Sequence, residues 1–109
     1  MQFELYREPS GTYYYRLMEG FSKFILIKEC YLKKESALRD IAIAKKNLIT
    51  LSGIEINKTV RDEYYFEIKS NEGRIVANSC LFKTAQALRD ELNSIKTKIN
   101  DAPIVEKFY

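Results

Sequence analysis

A tetrapeptide, Ala-Leu-Arg-Asp, occurs twice in this chain of 109 residues, at positions 37–40 and again at positions 87–90. The similarity extends beyond these four letters. When the sequence is shifted against itself by fifty residues, nine of the twenty-five positions from Ile25 to Ile49 are identical to their partners. We interpret the chain as two copies of one unit of about fifty residues. It is not a solenoid, because arrays of stacked repeats generally need three or more units.

Upstream of this segment the best shift is fifty-one residues. It places residues 13–17, YYYRL, on residues 64–68, YYFEI. A one-residue length change in the turn at residues 19–22, compared with the turn at residues 71–73, reconciles the two shifts. Turns are where such changes are tolerated best.

Within each unit the spacing of apolar residues changes once. Alternation predicts three half-buried strands per unit, carried by Phe3/Leu5, Tyr13/Tyr15/Leu17 and Ile25/Ile27, and by Ile54/Ile56, Tyr64/Phe66/Ile68 and Ile75/Ala77. From Lys34 and from Thr84 onward, the spacing is that of an amphipathic helix. The apolar stripes are Ala37, Leu38, Ile41, Ala44 and Leu48 in the first helix and Leu88, Leu92, Ile95 and Ile99 in the second.

The fold class that follows is α+β. We expect one domain over residues 1–109, in which residues 1–52 and 53–109 each form a β-β-β-α unit. Because a three-stranded sheet with one helix is marginal alone, the tandem units should form one antiparallel sheet with two helices packed on one face. Residues 53–56 align with the opening strand and also follow the first helix, so one strand can serve both units. Residues 102–106 look like a closing strand.

The sequence resembles the YegP-like domains, small bacterial and archaeal proteins of unknown function. The resemblance rests on an aromatic hairpin, a Ser-x-x-aromatic step and a helix with Arg and a Ser-hydrophobic-Lys step, here residues 65–69, residues 73–79, Phe82, Arg89 and residues 92–96. The first unit is more divergent and keeps residues 14–17, Arg39 and residues 46–47. The resemblance implies tandem units or dimers of single units, with one continuous sheet, helices on one side and the terminal strand exchanged between units. It brings no established catalytic or binding residues.

The composition argues against several kinds of site. The chain has no His, which removes His-based triads, His-containing metal sites and the commonest general base at neutral pH. Two cysteines cannot supply the four ligands of a structural zinc site. The four glycines are scattered one per turn, so they do not form a phosphate-binding loop. We therefore expect no enzymatic activity, no cofactor and no metal.

The N-terminus and the hydropathy pattern indicate a cytoplasmic protein with no membrane association. Glu4 stands where a signal peptide would have positive charge. The longest apolar run, residues 24–27, is far shorter than the roughly twenty residues of a membrane span. Two cysteines fit a reducing compartment.

Cys30 and Cys80 match at the fifty-residue shift, and each is expected at the end of a strand that precedes a helix. The N-terminus of a helix can lower the pKa of a thiol. The two residues are therefore either reactive thiols or small, partly buried side chains inherited from one ancestral unit.

Recurring acidic residues raise the alternative of a paired-carboxylate site. Such a site needs two acids that converge in a cleft. The recurring pairs are Glu4/Glu55 and Asp40/Asp90. Duplication explains the recurrence, and we expect all of these side chains to lie in solvated positions.

Aromatic residues are the most distinctive feature, with eight Tyr and six Phe. If Tyr15 and Phe66 point toward the helices, alternation places their neighbours on the opposite, open face of the sheet. The candidate partner-binding residues on that face are Tyr6, Tyr14, Arg16, Tyr65 and Glu67. We expect Leu26 and Val76 to join them.

We predict a non-catalytic interaction module that binds a protein partner, or forms a homodimer, through this open face. Weak single-stranded nucleic-acid binding is an alternative, because exposed aromatic rings can stack on bases. The net charge of only +3 and Glu67 beside Tyr65 oppose it. Thiol chemistry at Cys30 and Cys80 is a further alternative. A purely structural role, in which cross-strand Tyr pairs stabilise the sheet, is the fourth.

Overall fold

The structure, a computed structural model, describes residues 1–20 and 23–108. Its elements in chain order are β1 (Gln2–Arg7), β2 (Tyr13–Glu19), β3 (Lys23–Tyr31), α1 (Lys34–Thr50), β4 (Ile54–Lys58), β5 (Tyr64–Lys69), β6 (Ile75–Ser79), α2 (Ala85–Lys98), a short 3₁₀ helix (Ile99–Asp101) and β7 (Ile104–Phe108). The predicted α+β class is confirmed. The length change that we placed at residues 19–22 involves residues 21 and 22, which lie outside the described residues.

Across the described part of the chain, the strands form one seven-stranded sheet in the order β4-β5-β6-β3-β2-β1-β7. Neighbouring strands are antiparallel except at one end, where β7 runs parallel to β1 with Ile104 beside Phe3. The prediction of a wholly antiparallel sheet is therefore wrong for β7. β6 runs opposite to β1, because three antiparallel pairings separate the two strands. β7 therefore also runs opposite to β6, and α2 with the 3₁₀ helix connects two strands of opposite direction.

Two β-bulges change which residues of β3 and β6 face the core. The register between β2 and β3 shifts after Leu17, and the register between β5 and β6 shifts after Ile68. An extra residue in one strand moves the following side chains to the other face. Leu26 and Val76 are consequently fully buried in the core, so the prediction that they lie on the open face is wrong.

Both helices pack on the same face of the sheet. Their buried residues are Ala37, Asp40, Ile41, Ala44 and Leu48 in α1 and Leu88, Leu92 and Ile95 in α2. The apolar residues among them join the inward residues of the sheet in one hydrophobic cluster, with Leu38 partly buried at its margin. Within the described residues, neither helix is long and apolar enough to cross a membrane.

The buried positions of the two helices correspond at a shift of fifty-one residues, not fifty. Ala37 and Leu88 are both fully buried, whereas Ala87, the partner of Ala37 at a shift of fifty, is exposed. The shared tetrapeptide begins at the fourth residue of α1 but at the third residue of α2. A displacement of one residue along a helix rotates a side chain about the helix axis by about 100°. Identical residues of the two tetrapeptides therefore occupy different environments.

The shift of fifty-one also means that the two cysteines, which are fifty residues apart, are not equivalent. Tyr13 pairs with Tyr31 in β3, and its counterpart Tyr64 pairs with Phe82. Cys30, one residue before Tyr31, therefore corresponds to Leu81 rather than to Cys80. The expectation that the two cysteines occupy equivalent places is wrong, because the match at fifty residues is one residue out of register.

Asp40 joins α1 to the start of β6. Its carboxylate is fully buried and accepts hydrogen bonds from both terminal nitrogens of Arg74, each at 2.7 Å, and from the hydroxyl of Tyr31 at 2.6 Å. Burial raises the pKa of the Asp40 carboxyl, but the hydrogen bonds from Arg74 and Tyr31 outweigh burial and hold the pKa below its ordinary value of 3.8. The prediction of a solvated Asp40 is wrong.

We predict that Asp40→Asn lowers the free energy of unfolding by about 2 kcal/mol at neutral pH, since it removes the charge from a buried pair whose arginine is partly exposed. The matched control is Asp90→Asn, in the same tetrapeptide but on an exposed position, with an expected change within about 0.5 kcal/mol. Urea unfolding measures both.

Because the pKa of Asp40 is lower in the folded protein, its contribution is present above pH 3.8 and declines as the pH falls below that value. The difference between wild type and Asp40→Asn should therefore shrink in acid. Equal effects of the two substitutions at neutral pH would contradict the assignment.

A second prediction tests the register of the helices. Leu88→Ala should lower the free energy of unfolding by about 3 kcal/mol, because Leu88 is fully buried. Leu38→Ala, at the same position of the repeated tetrapeptide, should lower the free energy of unfolding by about 1 kcal/mol, because Leu38 only borders the core. Equal losses in thermal or urea unfolding would favour the shift of fifty.

Candidate functional site

The open face of the sheet is the face opposite the helices. On β1, Phe3 and Leu5 are buried against the helices, so the alternate residues Glu4 and Tyr6 point to the open face. Their cross-strand neighbours on β2 are Arg16, opposite Glu4, and Tyr14, opposite Tyr6. The pleat of two adjacent strands thus places two rings, one cation and one carboxylate side by side.

These four side chains form one bonded group, which we call the β1–β2 cluster (Glu4, Tyr6, Tyr14 and Arg16). The rings of Tyr6 and Tyr14 are stacked, with centroids 4.7 Å apart and planes 3° from parallel. The Arg16 guanidinium lies 4.7 Å from the centroid of the Tyr6 ring. Its Nε donates to Glu4 Oε1 at 2.8 Å, and its Nη2 donates to the Tyr6 hydroxyl.

Glu4 is the anchor of the β1–β2 cluster. Its Oε1 also accepts the Tyr6 hydroxyl at 2.7 Å, and its Oε2 accepts the Gln2 amide at 3.0 Å and lies 3.2 Å from Lys107 Nζ on β7. Burial raises the pKa of the Glu4 carboxyl, but the hydrogen bonds from Tyr6, Arg16, Gln2 and Lys107 together lower it to about 2. The carboxylate therefore stays ionised at every physiological pH.

A shallow pocket of about 310 Å³ borders the cluster on its N-terminal side. Glu4, Arg16 and Lys107 supply its polar wall, while Met1 and Met18 supply apolar surface. The Arg16 and Lys107 side chains are 32% and 44% exposed, so both cations remain accessible to a partner even though Glu4 is buried. The cluster and the neighbouring Lys107 thus present two partly exposed cations around one buried acid.

Tyr65 and Glu67 lie on the open face but away from the β1–β2 cluster. They belong to β5, which is separated from β2 by β6 and β3, a distance of about 14 Å at the usual strand spacing. Glu67 accepts a hydrogen bond from Asn57 Nδ2 at 2.8 Å, and Tyr65 is the cross-strand neighbour of Asn57. The structure therefore brings together three of the five predicted residues, Tyr6, Tyr14 and Arg16.

Two members of the site were not predicted from the sequence. Glu4 was expected in solvent, yet it is 6% exposed, because the partners on three strands cover it. Its position two residues before Tyr6 was a usable signal, since residues two apart share a face of a strand. Lys107 has no comparable signal, because the parallel pairing of β7 with β1 was not predicted.

The cysteines do not form a reactive pair. Burial raises the pKa of the Cys80 thiol, the opposite of the change that activates a thiol. The Cys80 amide donates to the Ile25 carbonyl, and Ile25 lies five residues before Cys30 along β3, or about 16 Å. Two such cysteines are too far apart for a disulfide. Among the residues described, no three Cys, Asp or Glu side chains converge as metal ligands.

Comparison with known proteins places the chain among uncharacterised relatives. Residues 60–106 match the family model of a domain of unknown function, DUF1508. The UPF0339 protein in the ptx operon 5' region of Stutzerimonas stutzeri is 29% identical over 105 residues, covering 95% of this chain and 94% of that protein. A UPF0339 protein of Bordetella pertussis is 30% identical over 97 residues, covering 88% and 87%.

The fold has a solved counterpart. The solution NMR structure of the protein of unknown function yegP from Escherichia coli superposes with a TM-score of 0.85 at 24% sequence identity, covering 98% of this chain and 92% of that one. Together with the matches to UPF0339 proteins, this shared fold confirms the resemblance to YegP-like domains that the sequence indicated.

We predict that Glu4→Gln lowers the free energy of unfolding by about 2 kcal/mol at neutral pH, because the buried carboxylate accepts several charge-assisted hydrogen bonds. The folded pKa is about 2, against an ordinary value of 4.5. The stabilisation is therefore present above pH 4.5 and disappears as the pH falls toward 2.

The matched control is Glu55→Gln, fifty-one residues further on. Glu55 pairs with Lys69 at 2.6 Å, but its side chain is 52% exposed, so the expected loss is below about 1 kcal/mol. Chemical denaturation at pH 7 and pH 3 checks both variants. A pH-independent loss at position 4 would assign it to packing rather than charge.

Proposed function

Since the chain belongs to the UPF0339 family, we propose that it is a non-catalytic module that binds a protein partner through the open face of its sheet. The β1–β2 cluster is the centre of the proposed contact surface. We further propose a cytoplasmic location, which is consistent with two free cysteines.

The observation that carries the proposal is the rigidity of a group on the open face in which the partly exposed Tyr14 and Arg16 pack on Tyr6, which is itself only 5% exposed. Tyr14 stacks on Tyr6, and Arg16 is held by both Tyr6 and Glu4. Tyr and Arg are the residue types that most often dominate binding energy in protein interfaces. Side chains that are already fixed lose little conformational entropy when a partner binds.

The charges on the open face favour a protein partner over a nucleic acid. Glu4 stays ionised among the cations at one end of the face, and Glu55 and Glu67 lie on the strands at the other end. Affinity for a phosphate backbone depends on an excess of cations that release counterions. Such a mixed surface suits a complementary protein surface, where opposite charges meet in pairs.

A non-catalytic role is supported by the chemistry of the titratable groups. Glu4 has a pKa of about 2, far from the neutral range in which a general acid or base works best. The raised pKa of Cys80 disfavours a thiolate nucleophile. With no His in the sequence, the cluster is better suited to binding than to proton transfer.

We also infer that residues 1–52 and 53–109 are tandem β-β-β-α units that derive from one dimer-forming unit. At the junction of β3 and β6, Ile27 pairs with Asn78, which is its counterpart at a shift of fifty-one. A pair of equivalent residues side by side is what a two-fold axis between identical units produces. The terminal strand β7 then belongs to the second unit but pairs with β1 of the first, as an exchanged strand.

This origin bears on the partner. If the contact of an ancestral dimer now lies within one chain, the open face is available to a different protein, and a second copy is the less favoured occupant. Gel filtration with light scattering at low salt, read at 260 and 280 nm, separates the alternatives. A monomer with a protein-like absorbance ratio is expected. A dimer would favour self-association, and a salt-sensitive excess at 260 nm would favour nucleic acid.

The direct test is photo-crosslinking from the proposed surface. Tyr14→p-benzoylphenylalanine should give a discrete covalent adduct in Escherichia coli cells, which contain a UPF0339 relative, and mass spectrometry identifies the partner. With the purified partner, Arg16→Ala should weaken binding at least tenfold, because the cluster loses its cation.

Two controls accompany this experiment. Arg89→p-benzoylphenylalanine lies on an exposed position of α2, away from the open face, and should give no matching adduct. Tyr65→Ser lies on the open face outside the cluster and should bind the partner within twofold of wild type. Equal adducts from positions 14 and 89, or none from position 14, would contradict the proposal.

A further inference from the structure

The strands β1 and β4 hold equivalent places in the sheet but have different neighbours. β1 pairs with β2 with Phe3 opposite Leu17, and β4 pairs with β5 with Ile54 opposite Ile68. These pairs correspond at a shift of fifty-one residues. The outer side of β1 is occupied by β7, whereas among the described residues β4 pairs with β5 alone.

Backbone hydrogen bonds show which residues of β1 bind β7. The Glu8 amide donates to the Thr12 carbonyl at 2.9 Å in the hairpin that joins β1 to β2. Hydrogen-bonded pairs alternate along an antiparallel ladder, so the even-numbered residues of β1 bond to β2 and the odd-numbered residues face outward. Accordingly, the Phe3 amide donates to the Pro103 carbonyl at 2.8 Å, next to β7.

The same reasoning defines the outer edge of β4. The Lys69 amide donates to the Gly53 carbonyl, and the Thr59 amide donates to the Glu63 carbonyl, both at 2.7 Å. The odd-numbered residues of β4 therefore bond to β5. The amides and carbonyls of Ile54, Ile56 and Lys58 point away from the sheet. They are the counterparts of Phe3, Leu5 and Arg7, which face β7.

Side-chain burial shows the same asymmetry. Leu5, whose strand is flanked on both sides, is 2% exposed, whereas its counterpart Ile56 is 41% exposed. Phe3 is fully buried, but Ile54 is only partly buried. The edge of β4 thus combines backbone groups that no other described strand pairs with and incompletely covered apolar side chains on the helix side.

The backbone before β4 is fixed, so this edge is held in place. Gly53 has a φ of +65°, and a Cβ there would lie 2.7 Å from the Lys69 carbonyl oxygen. The Asn47 side chain on α1 donates to the same oxygen at 2.8 Å. A strand anchored by the preceding helix and the neighbouring strand presents its outer edge in a defined position.

We propose that the outer edge of β4 binds an extended segment of a partner protein as a parallel strand, in the register that β7 adopts on β1. The segment is recognised by backbone hydrogen bonds to Ile54, Ile56 and Lys58, the mode of binding known as strand addition. An apolar residue faces Ile54, and a basic residue meets the exposed carboxylate of Glu55, as Ile104 faces Phe3 and Lys107 meets Glu4 in β7.

A different protein, not a second copy, is the occupant. The β7 strand of another copy would have to leave its own β1 and exchange one parallel pairing for an equivalent one. It would also lose the high effective concentration of an intramolecular strand. A free extended segment of a partner pays neither cost. This site is separate from the β1–β2 cluster, at the opposite end of the sheet.

The test uses the full chain and a synthetic hexapeptide with the sequence of residues 103–108, PIVEKF, as the probe. Saturable binding, with amide chemical-shift changes centred on Ile54, Ile56 and Lys58, is expected in ¹H–¹⁵N correlation spectra. N-methylation of the peptide at the residues equivalent to Val105 and Lys107, which face the protein in this register, should weaken binding at least tenfold.

The matched peptide carries N-methyl groups at the residues equivalent to Ile104 and Glu106, whose amides face away, and should bind within threefold of the unmodified peptide. Three results would overturn the proposal. They are no binding at millimolar peptide, shift changes centred on Phe3 and Leu5, which would mean displacement of β7, and concentration-dependent changes in β4 without peptide, which would mean a second copy.

Discussion

The structure depends on the junction between β3 and β6. Within the described residues, only two residue pairs are in register there, Leu26 with Ser79 and Ile27 with Asn78. The short ladder is supplemented by side chains that cross it: Tyr15 donates to the Val76 carbonyl, and Asp40 binds Arg74. If this junction opened, the chain would separate into a three-stranded sheet (β4, β5 and β6) and a four-stranded sheet (β3, β2, β1 and β7), and the core that they share would be divided. One core and one continuous open face exist only while it holds.

A sheet with helices on one side must satisfy the polar groups of its other side without a second layer. The open face does so with a compact network in which Glu4 binds Arg16, Tyr6 and Lys107. The network joins β2, β1 and β7 and shields a carboxylate that would otherwise be costly to bury. The same side chains thus hold three strands together and, in the proposed function, form the contact surface.

The sequence predicted the elements well because alternation and helical period are local signals. It predicted less well which residues of each strand face the helices. The bulges after Leu17 and Ile68 depend on pairing between strands, so Leu26 and Val76 were assigned to the wrong face. The repeated tetrapeptide gave the wrong alignment of the two helices for a similar reason. Identical residues can match in sequence although the two helices present different residues to the sheet. Burial of Asp40 depends on Arg74, thirty-four residues away. The predicted site did not include Lys107, because the parallel pairing of β7 with β1 has no local signature in the sequence.

Among the residues described, the sheet has seven strands, with β4 at one end and β7 at the other. Its two ends are chemically different, so copies that joined by opposite ends would form an open row and not a closed dimer. Open growth of this kind leads to fibres. Both terminal strands are five residues long and carry lysine, Lys58 at one end and Lys107 at the other. Short, charged edge strands disfavour such growth.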